Sequence, residues 1–351
     1  PGELGANRPT DGEAEGDDWA RERMLTGVRR SAGGATLFVC ATFLACSPID
    51  STRGWECIAP ANAGGGWDMT CRSIARVLRD LEISPGAVRT TNLPGAGGGV
   101  AFARTVAQRN EDTGLLVAAS TSTALLLAQG QYGSLTADDV RWVGALGAEY
   151  GILAVAADSP WRTLNDLIAD LREDPSSVVV SGGSSVTGQD HMKVLLLAHQ
   201  AGIDPRTVRY VPFDGGGEAM TALLGGFVHV FSGEVSEVEG QVAAGTLRVL
   251  TVMSPERVGG VLADVPTAME SGLDVTWVTW RGYYVPGGIS DEEYQRWVGV
   301  LTDVGLSQEW EEARRTAGMN PYFLVGETFE AFVNVQVGEF EAMSREIGLI
   351  K

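Results

Sequence analysis

From Gly54 onward the chain repeats one pattern, and this pattern restricts the possible folds more than any other feature. A short apolar run rich in β-branched residues leads into a loop of small residues, and that loop leads into helical periodicity. Loops of this kind occupy residues 60–66, 94–99, 120–123, 181–185, 213–217 and 232–234. Strands that alternate with helices predict an α/β fold with parallel sheets, and ligands of such sheets bind at the carboxyl ends of the strands.

The length of the chain, 351 residues, exceeds that of a typical domain, so we expect two lobes. No linker rich in Pro, Ser or charge separates two halves, which favours lobes joined by strands that cross between them. A pair of separate strands is predicted at 140–146 and 152–156. A long extended stretch is predicted at 275–285, after the second lobe. We assign residues 53–153 with 276–351 to the first lobe and residues 154–275 to the second.

The first 52 residues are typical of a targeting segment. Arg29 and Arg30 precede an apolar run over residues 32–44, which is too short for a stable membrane-spanning helix and predicts export. The run ends in Phe-Leu-Ala-Cys, which is similar to a bacterial lipobox and predicts lipidation of Cys46; ordinary signal-peptidase cleavage nearby is the alternative. Residues 1–23 are polar and acidic, and we expect a disordered extension or upstream read-through there. The expected location is the periplasm or the outer face of the cytoplasmic membrane.

Two cysteines, Cys57 and Cys71, lie in the body of the chain, on a predicted strand and on the helix that follows it. An oxidising compartment would permit a disulfide between them. Two buried free thiols are the interpretation that we favour from the sequence.

The formal charge of −19 argues against nucleic acid and anionic lipid surfaces as partners. The same charge would repel an anionic ligand, so a site for an anion must use local dipoles. Glycine loops that open into helices supply such dipoles, because the free N–H groups of each helix start together attract an anion by about 0.3–1 kcal/mol.

Two glycine triplets echo each other. Gly64, Gly65 and Gly66 precede Trp-Asp-Met-Thr, and residues 215–217 precede Glu-Ala-Met-Thr. Both triplets follow a strand and open a helix, which predicts a two-sided clamp with one triplet on each lobe. The run from Pro94 to Gly99 begins like a dinucleotide fingerprint but places Val100 at the closing position, which argues against nicotinamide binding.

Several side chains near these loops have two interpretations each. Asp68 either caps the first helix or binds an amino or hydroxyl group of a ligand. Trp67 either lines a cleft or packs inside. Ser120, Thr121 and Ser122 are hydroxyl donors to a ligand or helix caps.

Histidine and arginine candidates are fewer. His191 begins a helix and either faces the cleft or is structural, whereas His199 and His229 have the pattern of structural or surface residues. Arg281 is either a cation aimed at an anionic ligand or part of a hinge salt bridge. No HExxH motif, metal-ligand cluster, G-x-S-x-G elbow or nucleophile–base pair is found, so we expect no enzyme, no metal and no cofactor.

Four motifs together carry a family resemblance. They are Pro60 with Gly65-Gly66-Trp67-Asp68, Asn92-Leu-Pro-Gly-Ala-Gly-Gly98, Tyr210-Val-Pro-Phe-Asp-Gly-Gly216 with Leu224-Gly-Gly226, and Asp264-Val-Pro-Thr267. In this order, over residues 53–351, the chain resembles the solute receptors of tripartite tricarboxylate transporters, the Bug-type extracytoplasmic binding proteins.

The resemblance implies a type II periplasmic-binding fold that closes on a tricarboxylate, a dicarboxylate or an acidic amino acid, with a lean to the tricarboxylate branch. It also implies a permease partner with one large and one small integral subunit, and we expect a monomeric receptor. A sensory protein that feeds a membrane kinase is the alternative role. The predicted ligand-binding residues are Gly65, Gly66, Trp67, Asp68, Ser120, Thr121, Ser122, Ser184, Thr187, Gly188, Asp190, His191, Gly215, Gly216, Glu234 and Arg281. One departure concerns the strand at 229–231: many family members place an acid directly after it, whereas here Ser232 and Gly233 intervene before Glu234.

Overall fold

The computed structural model describes residues 54–351. The predicted export signal and the predicted lipidation site at Cys46 lie outside the described residues. None of the helices within 54–351 is long and apolar enough to cross a membrane.

Strands and helices alternate along most of the described chain, as the sequence pattern predicts. The strands are β1 (Glu56–Ala59), β2 (Arg89–Asn92), β3 (Leu115–Ser120), β4 (Val140–Ala156), β5 (Val179–Gly182), β6 (Arg209–Pro212), β7 (Val230–Glu234), β8 (Leu247–Val252), β9 (Val278–Pro286) and β10 (Leu324–Val325). The α-helices are α1 (Gly66–Asp80), α2 (Gly99–Gln108), α3 (Thr121–Ala128), α4 (Leu164–Glu173), α5 (Gln189–Gln200), α6 (Gly216–Leu224), α7 (Val235–Ala243), α8 (Asp291–Gly305), α9 (Gln308–Thr316) and α10 (Glu327–Glu346).

The strands form one continuous path in the order β2-β1-β3-β9-β4-β7-β5-β6, and β8 and β10 also pair with β4. β1 is parallel to β2 and β3, and β5 is parallel to β6 and β7. The pairs that involve β4 or β9 are antiparallel. The predicted α/β class with parallel sheets is therefore confirmed, with antiparallel strands joining two parallel groups.

β4 is a single strand of 17 residues, so the prediction of two separate strands is wrong. Its first part pairs with β9 as far as Tyr150, and from Gly151 onward it pairs with β7 and β8. Two glycines of β4 lie where other segments approach the strand. A Cβ on Gly144 would meet Val325 at 2.8 Å, and one on Gly147 would meet Met319 at 2.9 Å.

β4 divides the path into two groups of strands with the same topology. The first half-sheet contains β2-β1-β3-β9 with the first part of β4, and the second contains β6-β5-β7 with the rest of β4 and β8. Position by position, β5 corresponds to β1, β6 to β2 and β7 to β3. The two echoing glycine triplets therefore do not occupy equivalent positions, because Gly64–66 follow the inner strand β1 and Gly215–217 follow the edge strand β6. The topological counterpart of the first triplet is the loop after β5.

The first half-sheet is covered on both faces. All six residues of β3 are buried, and an aromatic cluster on one face joins Trp142, Trp280, Tyr284 and Phe329. Phe329 belongs to α10, which packs on α3 and β4, so the C-terminal segment returns to the first half-sheet.

Cys57 of β1 and Cys71 of α1 are fully buried and joined by a disulfide. The preference for free thiols was wrong. The glycine loop turns α1 back against β1 and brings the two Cα atoms to 5.6 Å, inside the range that a disulfide spans.

Candidate ligand-binding site

The loops at the carboxyl ends of the parallel strands of both half-sheets meet. The Gln129 side chain, at the end of α3, donates a hydrogen bond of 3.1 Å to the Thr187 carbonyl in the loop after β5. In the same region, a Cβ on Gly97 would lie 3.6 Å from Ser185 Oγ. The structure thus places the glycine loop after β2 close to the loop after β5.

Gly65 is the N-cap of α1 and has an extended backbone conformation, and no side chain caps the helix. Asp68 in the first turn is buried and accepts hydrogen bonds from the Gly64 N–H (2.9 Å), Asn92 Nδ2 (2.9 Å) and Arg72 Nε (2.8 Å). Burial opposes its charge, but the hydrogen bonds from Arg72, Gly64 and Asn92 outweigh burial and lower the pKa of Asp68. Both carboxylate oxygens are occupied, so Asp68 holds the glycine loop in place and leaves the first N–H groups of α1 free of a side-chain partner.

Trp67 connects the three loops of the first half-sheet. Its Nε1 donates to Ser120 Oγ at 3.2 Å, and its ring approaches Gly98, where a Cβ would lie 3.3 Å from the ring. Ser120 is the N-cap of α3 and also accepts from the Ser122 N–H. The Thr121 hydroxyl donates to the Val278 carbonyl (2.9 Å) and accepts from the Trp280 N–H (3.1 Å), which fixes α3 to β9. Of the predicted hydroxyl donors, Ser120 and Thr121 have structural partners.

Arg281 on β9 forms the predicted salt bridge. It is buried, and its Nε and Nη2 donate to Glu149 Oε2 on β4 at 2.9 and 2.5 Å. Nη1 faces the first glycine loop, since a Cβ on Gly66 would lie 2.6 Å from it. Gly66 is therefore required for space, and Nη1 makes no hydrogen bond to another described residue.

In the second half-sheet, α5 begins after Gly188 without a side-chain cap at its N-cap residue. Ser184 Oγ accepts from the Asp190 N–H at 2.9 Å, so Ser184 and Asp190 shape this loop. Thr187 has φ +65°, an unfavourable conformation for a β-branched residue, and it directs its N–H to His191 Nδ1 at 3.0 Å.

His191 lies flat against Tyr210, with ring centroids 4.4 Å apart. Burial lowers the pKa of His191 to about 4, so the ring is neutral at physiological pH. Because Nδ1 accepts a hydrogen bond, the ring proton is on Nε2, which is buried and has no partner among the described residues. Nε2–H is a free donor at the start of α5.

A buried network of charges lies behind these loops, and sequence reasoning missed most of it. Lys193 of α5 is fully buried and donates to Asp190 Oδ1 (2.9 Å), Glu234 Oε1 (2.8 Å) and the Gly233 carbonyl (2.7 Å). Burial opposes its charge, but Glu234 and Asp190 keep the pKa of Lys193 above its ordinary value. The available signal was a lysine among the apolar residues that follow Asp190 on α5.

Glu234 also accepts from Thr279 Oγ1 (2.8 Å) and Gln189 Nε2 (3.3 Å), both on Oε1. β7 continues through Ser232 and Gly233 to Glu234, which is both the last residue of the strand and the N-cap of α7. The departure inferred from the sequence was therefore a strand-boundary error. Burial raises the pKa of Glu234 in spite of Lys193.

Glu237 completes the cap of α7, because its Oε2 accepts from the Glu234 N–H at 2.8 Å. Its other oxygen lies against the second glycine loop, where a Cβ on Gly216 would be 2.0 Å away. Glu237 is exposed to solvent. Partial enclosure of its carboxyl group, with Asp190 and Glu234 nearby, raises the pKa of Glu237. Gly215 is the N-cap of α6, again without a side-chain cap.

A family model described as "Tripartite tricarboxylate transporter family receptor" matches residues 74–349. BugT of Bordetella pertussis is 25% identical over 300 residues, which cover 84% of this chain and 90% of BugT. MatC from Rhodopseudomonas palustris, solved with bound malate, is 20% identical with a TM-score of 0.71 and covers 83% of this chain and 98% of its own. R. palustris Rpa4515, solved with adipate, is 20% identical with a TM-score of 0.75 and covers 85% and 98%.

These solved structures confirm the periplasmic-binding fold, and the family model confirms the resemblance drawn from the four motifs. Because the family model matches most of the chain, the protein belongs to the receptor family of tripartite tricarboxylate transporters, whose members are periplasmic solute-binding proteins, not enzymes, that work with membrane permeases.

Proposed function

We propose that this chain captures a small dicarboxylate or tricarboxylate between two lobes, one on each half-sheet, and delivers it as a monomer to a tripartite tricarboxylate permease. The observation that carries the proposal is the buried His191 Nε2–H, a free donor in the first turn of α5. A buried donor without a partner is unfavourable unless a ligand accepts its hydrogen bond.

Three helix starts support an anionic ligand. α1, α5 and α6 begin after Gly65, Gly188 and Gly215, and at none of these N-cap residues does a side chain cap the helix. Their N–H groups and dipoles attract a carboxylate without a dedicated cation, which suits a chain with a net charge of −19. The malate and adipate in the two R. palustris proteins are carboxylates of the expected size.

The predicted site residues divide into two roles in this proposal. Gly66, Ser122, Gly188, His191 and Gly216 contact the ligand directly. The others hold the loops or the charge network in place; they are Gly65, Trp67, Asp68, Ser120, Thr121, Ser184, Thr187, Asp190, Gly215, Glu234 and Arg281.

Thermal unfolding against a panel of organic acids tests the receptor function. A ligand present at 100 times its Kd stabilises the native state by about 2.7 kcal/mol, which raises the Tm by several degrees. If no carboxylate in the panel raises the Tm, the proposed function is wrong. Delivery is tested by uptake of the identified ligand into cells that have or lack this chain, with the permease present in both.

Gly66→Ala tests the first glycine loop. The new Cβ would lie 2.6 Å from Arg281 Nη1, so either the guanidinium or the helix start must move. We expect the affinity for the ligand to fall at least tenfold, measured by calorimetry. Gly338→Ala is the matched control, because that glycine lies in α10 with open space around it. Equal affinity in both variants would remove the loop from the site.

A further inference from the structure

We propose that the outer edge of β2, together with one face of α1, is a docking surface for an extended acidic segment of a partner protein. The face of α1 carries Arg72, Arg76 and Arg79, and we call it the arginine face. The acidic segment pairs with β2 as an added strand, and its carboxylates contact the arginine face. This inference goes beyond the proposed function and does not depend on the identity of the small ligand.

An open groove lies between α1 and the segment that leads into β2. The three residues of the arginine face line one side of the groove, since side chains three and four positions apart share a face of a helix. The other lining residues are uncharged: Ala75, Ala87, Val88 and Thr90. None of the lining side chains is acidic, in a chain with 45 acidic residues against 26 lysines and arginines. A carboxylate that enters the groove therefore meets only cations and uncharged groups.

The arginine face keeps donors free for a partner. Arg72 gives only its Nε to Asp68, and its side chain is 58% exposed. Arg79 gives Nε and Nη2 to its neighbour Asp80, which neutralises part of its charge. Arg76 is exposed and forms no ion pair with another residue of 54–351, so its whole guanidinium group is available. Guanidinium–carboxylate hydrogen bonds are among the strong ones, and a partner's acids can form them here.

β2 is an edge strand, and the backbone groups on its outer side are free. Among the described strands it pairs only with β1. The N–H groups of Arg89 and Leu93 donate to carbonyls of the neighbouring segment 55–59. Because alternate residues of a strand face the same neighbour, the N–H groups of Thr90 and Asn92 point outward. Such an edge can accept a further strand from another chain.

An added strand would meet arginine on both of its faces. Asn92 donates to Asp68 of α1, whereas Arg89, three positions earlier, lies on the opposite face and forms an ion pair with Glu56. The Arg89 side chain is nevertheless 72% exposed. Side chains of neighbouring strands alternate between the same two faces, so half of those on an added strand would lie beside the arginine face and half beside Arg89. This arrangement favours a strand that carries acidic side chains.

The counterpart edge in the second half-sheet lacks both features. β6 pairs with β5 in the register in which β2 pairs with β1, which places Pro212 at the position of Asn92. Proline has no N–H to donate, and proline on an edge strand protects that edge from pairing. α5, the counterpart of α1, contains no arginine. The free edge and the arginine face are therefore not general consequences of the topology.

An acidic polypeptide matches this surface better than an anionic membrane does. The net charge of −19 repels a negatively charged lipid surface, which would face a large part of the protein. An added strand contacts only β2 and the arginine face. Lipid headgroups also have no row of backbone N–H and C=O groups to pair with β2.

A fluorescent peptide of alternating glutamate and threonine tests the docking surface by anisotropy. We expect the peptide to bind at low ionic strength with a Kd below about 1 mM, and a peptide of alternating lysine and threonine not to bind. Absence of binding by the acidic peptide would overturn the proposal and leave the proposed function intact. Two other results would also overturn it: binding that depends on Arg76 to vesicles of phosphatidylglycerol and phosphatidylcholine but not to the peptide, or self-association that depends on Arg76 in sedimentation velocity.

Arg76→Glu reverses the charge at the centre of the arginine face. Because Arg76 is exposed and unpaired within the described part of the chain, this change should leave the fold intact, and we expect the peptide affinity to fall about tenfold or more. Arg162→Glu is the matched control, since it makes the same change in net charge at an exposed position just before α4. An equal loss in the two variants would assign the binding to the overall field of the protein and contradict the proposal.

Hydrogen exchange measured by NMR gives a separate readout for strand pairing. The outward N–H groups of Thr90 and Asn92 should exchange rapidly in the free protein and slow by about tenfold when the peptide is present at ten times its Kd. The outward N–H of Tyr210 on β6 is the control and should not respond, since the peptide does not pair with that edge. Binding of the peptide without protection of Thr90 and Asn92 would contradict the added strand and overturn the proposal.

Discussion

His191 connects a strained loop to a free donor. Thr187 keeps its unfavourable φ because its N–H is held by His191 Nδ1, and the same hydrogen bond fixes the imidazole proton on Nε2. The stacked Tyr210 ring excludes water from one face of the imidazole. The donor of the proposed site and the conformation of the loop therefore depend on one neutral histidine.

Acid should destabilise the folded protein through protonation of His191. The folded pKa of His191, about 4, lies below its ordinary value of 6.5, so protonation favours the unfolded chain. The neutral imidazole contributes fully to the free energy of unfolding above pH 6.5. This contribution falls as the pH drops toward 4, and the loss is about 2–3 kcal/mol at pH 4.5. Urea unfolding of the wild type and of His191→Asn at pH 7.5 and 4.5 separates the effect of His191 from that of other titrating groups, because those groups are present in both proteins. A difference between the two proteins that stays constant with pH would contradict the prediction.

At the scale of elements, β1 and α1 act as one unit around the first glycine loop. The disulfide joins Cys57 and Cys71 across 14 residues of sequence, and Asp68 holds the intervening loop to Asn92 at the end of β2. The loop therefore has both of its ends fixed before a ligand arrives, which reduces the entropy cost of binding.

Replacement of both cysteines, Cys57→Ala with Cys71→Ala, should lower the free energy of unfolding by about 3 kcal/mol. Without the disulfide, the unfolded chain regains the conformational entropy of a loop of this length, which corresponds to roughly 3 kcal/mol. Urea unfolding with and without reductant measures the loss. We expect reductant present throughout unfolding and refolding to weaken the wild type and to leave the variant unchanged; a wild type that does not respond would contradict a stabilising disulfide.

For the molecule as a whole, β4 and β9 determine how the two half-sheets are connected. β4 changes partners at Gly151, from β9 to β7 and β8, so no flexible linker separates the halves. The Glu149–Arg281 ion pair joins the two strands just before this point and is buried. Ser236 of α7 also donates to Glu149, which extends the contact to the second half-sheet.

Replacing one partner of this ion pair should lower the free energy of unfolding more than replacing both partners. Glu149→Gln leaves the buried Arg281 without its countercharge, and we expect a loss of about 3–5 kcal/mol in the free energy of unfolding. The double variant Glu149→Met with Arg281→Met should lose less, since it buries no unpaired charge. Urea unfolding of both variants decides this; a double variant that is less stable than Glu149→Gln would contradict the argument.

From the amino-acid sequence alone one can predict the α/β class, the positions of the glycine loops, most helix starts and the family motifs. These features depend on local pattern: alternating apolar runs, small residues at turns, and helical periodicity. The loops at Gly65, Gly188 and Gly215 could be predicted for this reason. The lobe boundaries stay a prediction.

Other features required the folded chain: which loops correspond, that β4 is one strand, that Cys57 and Cys71 pair, and that Lys193, Glu149 and Glu237 lie beside the candidate site. Arg281 meets Glu149 across 132 positions and Lys193 meets Glu234 across 41, and no local pattern specifies such partners. Charged residues are almost always exposed, so composition favours a surface role for each of them. Burial beside an opposite charge depends on the packing of distant segments, which the chain acquires only when it folds.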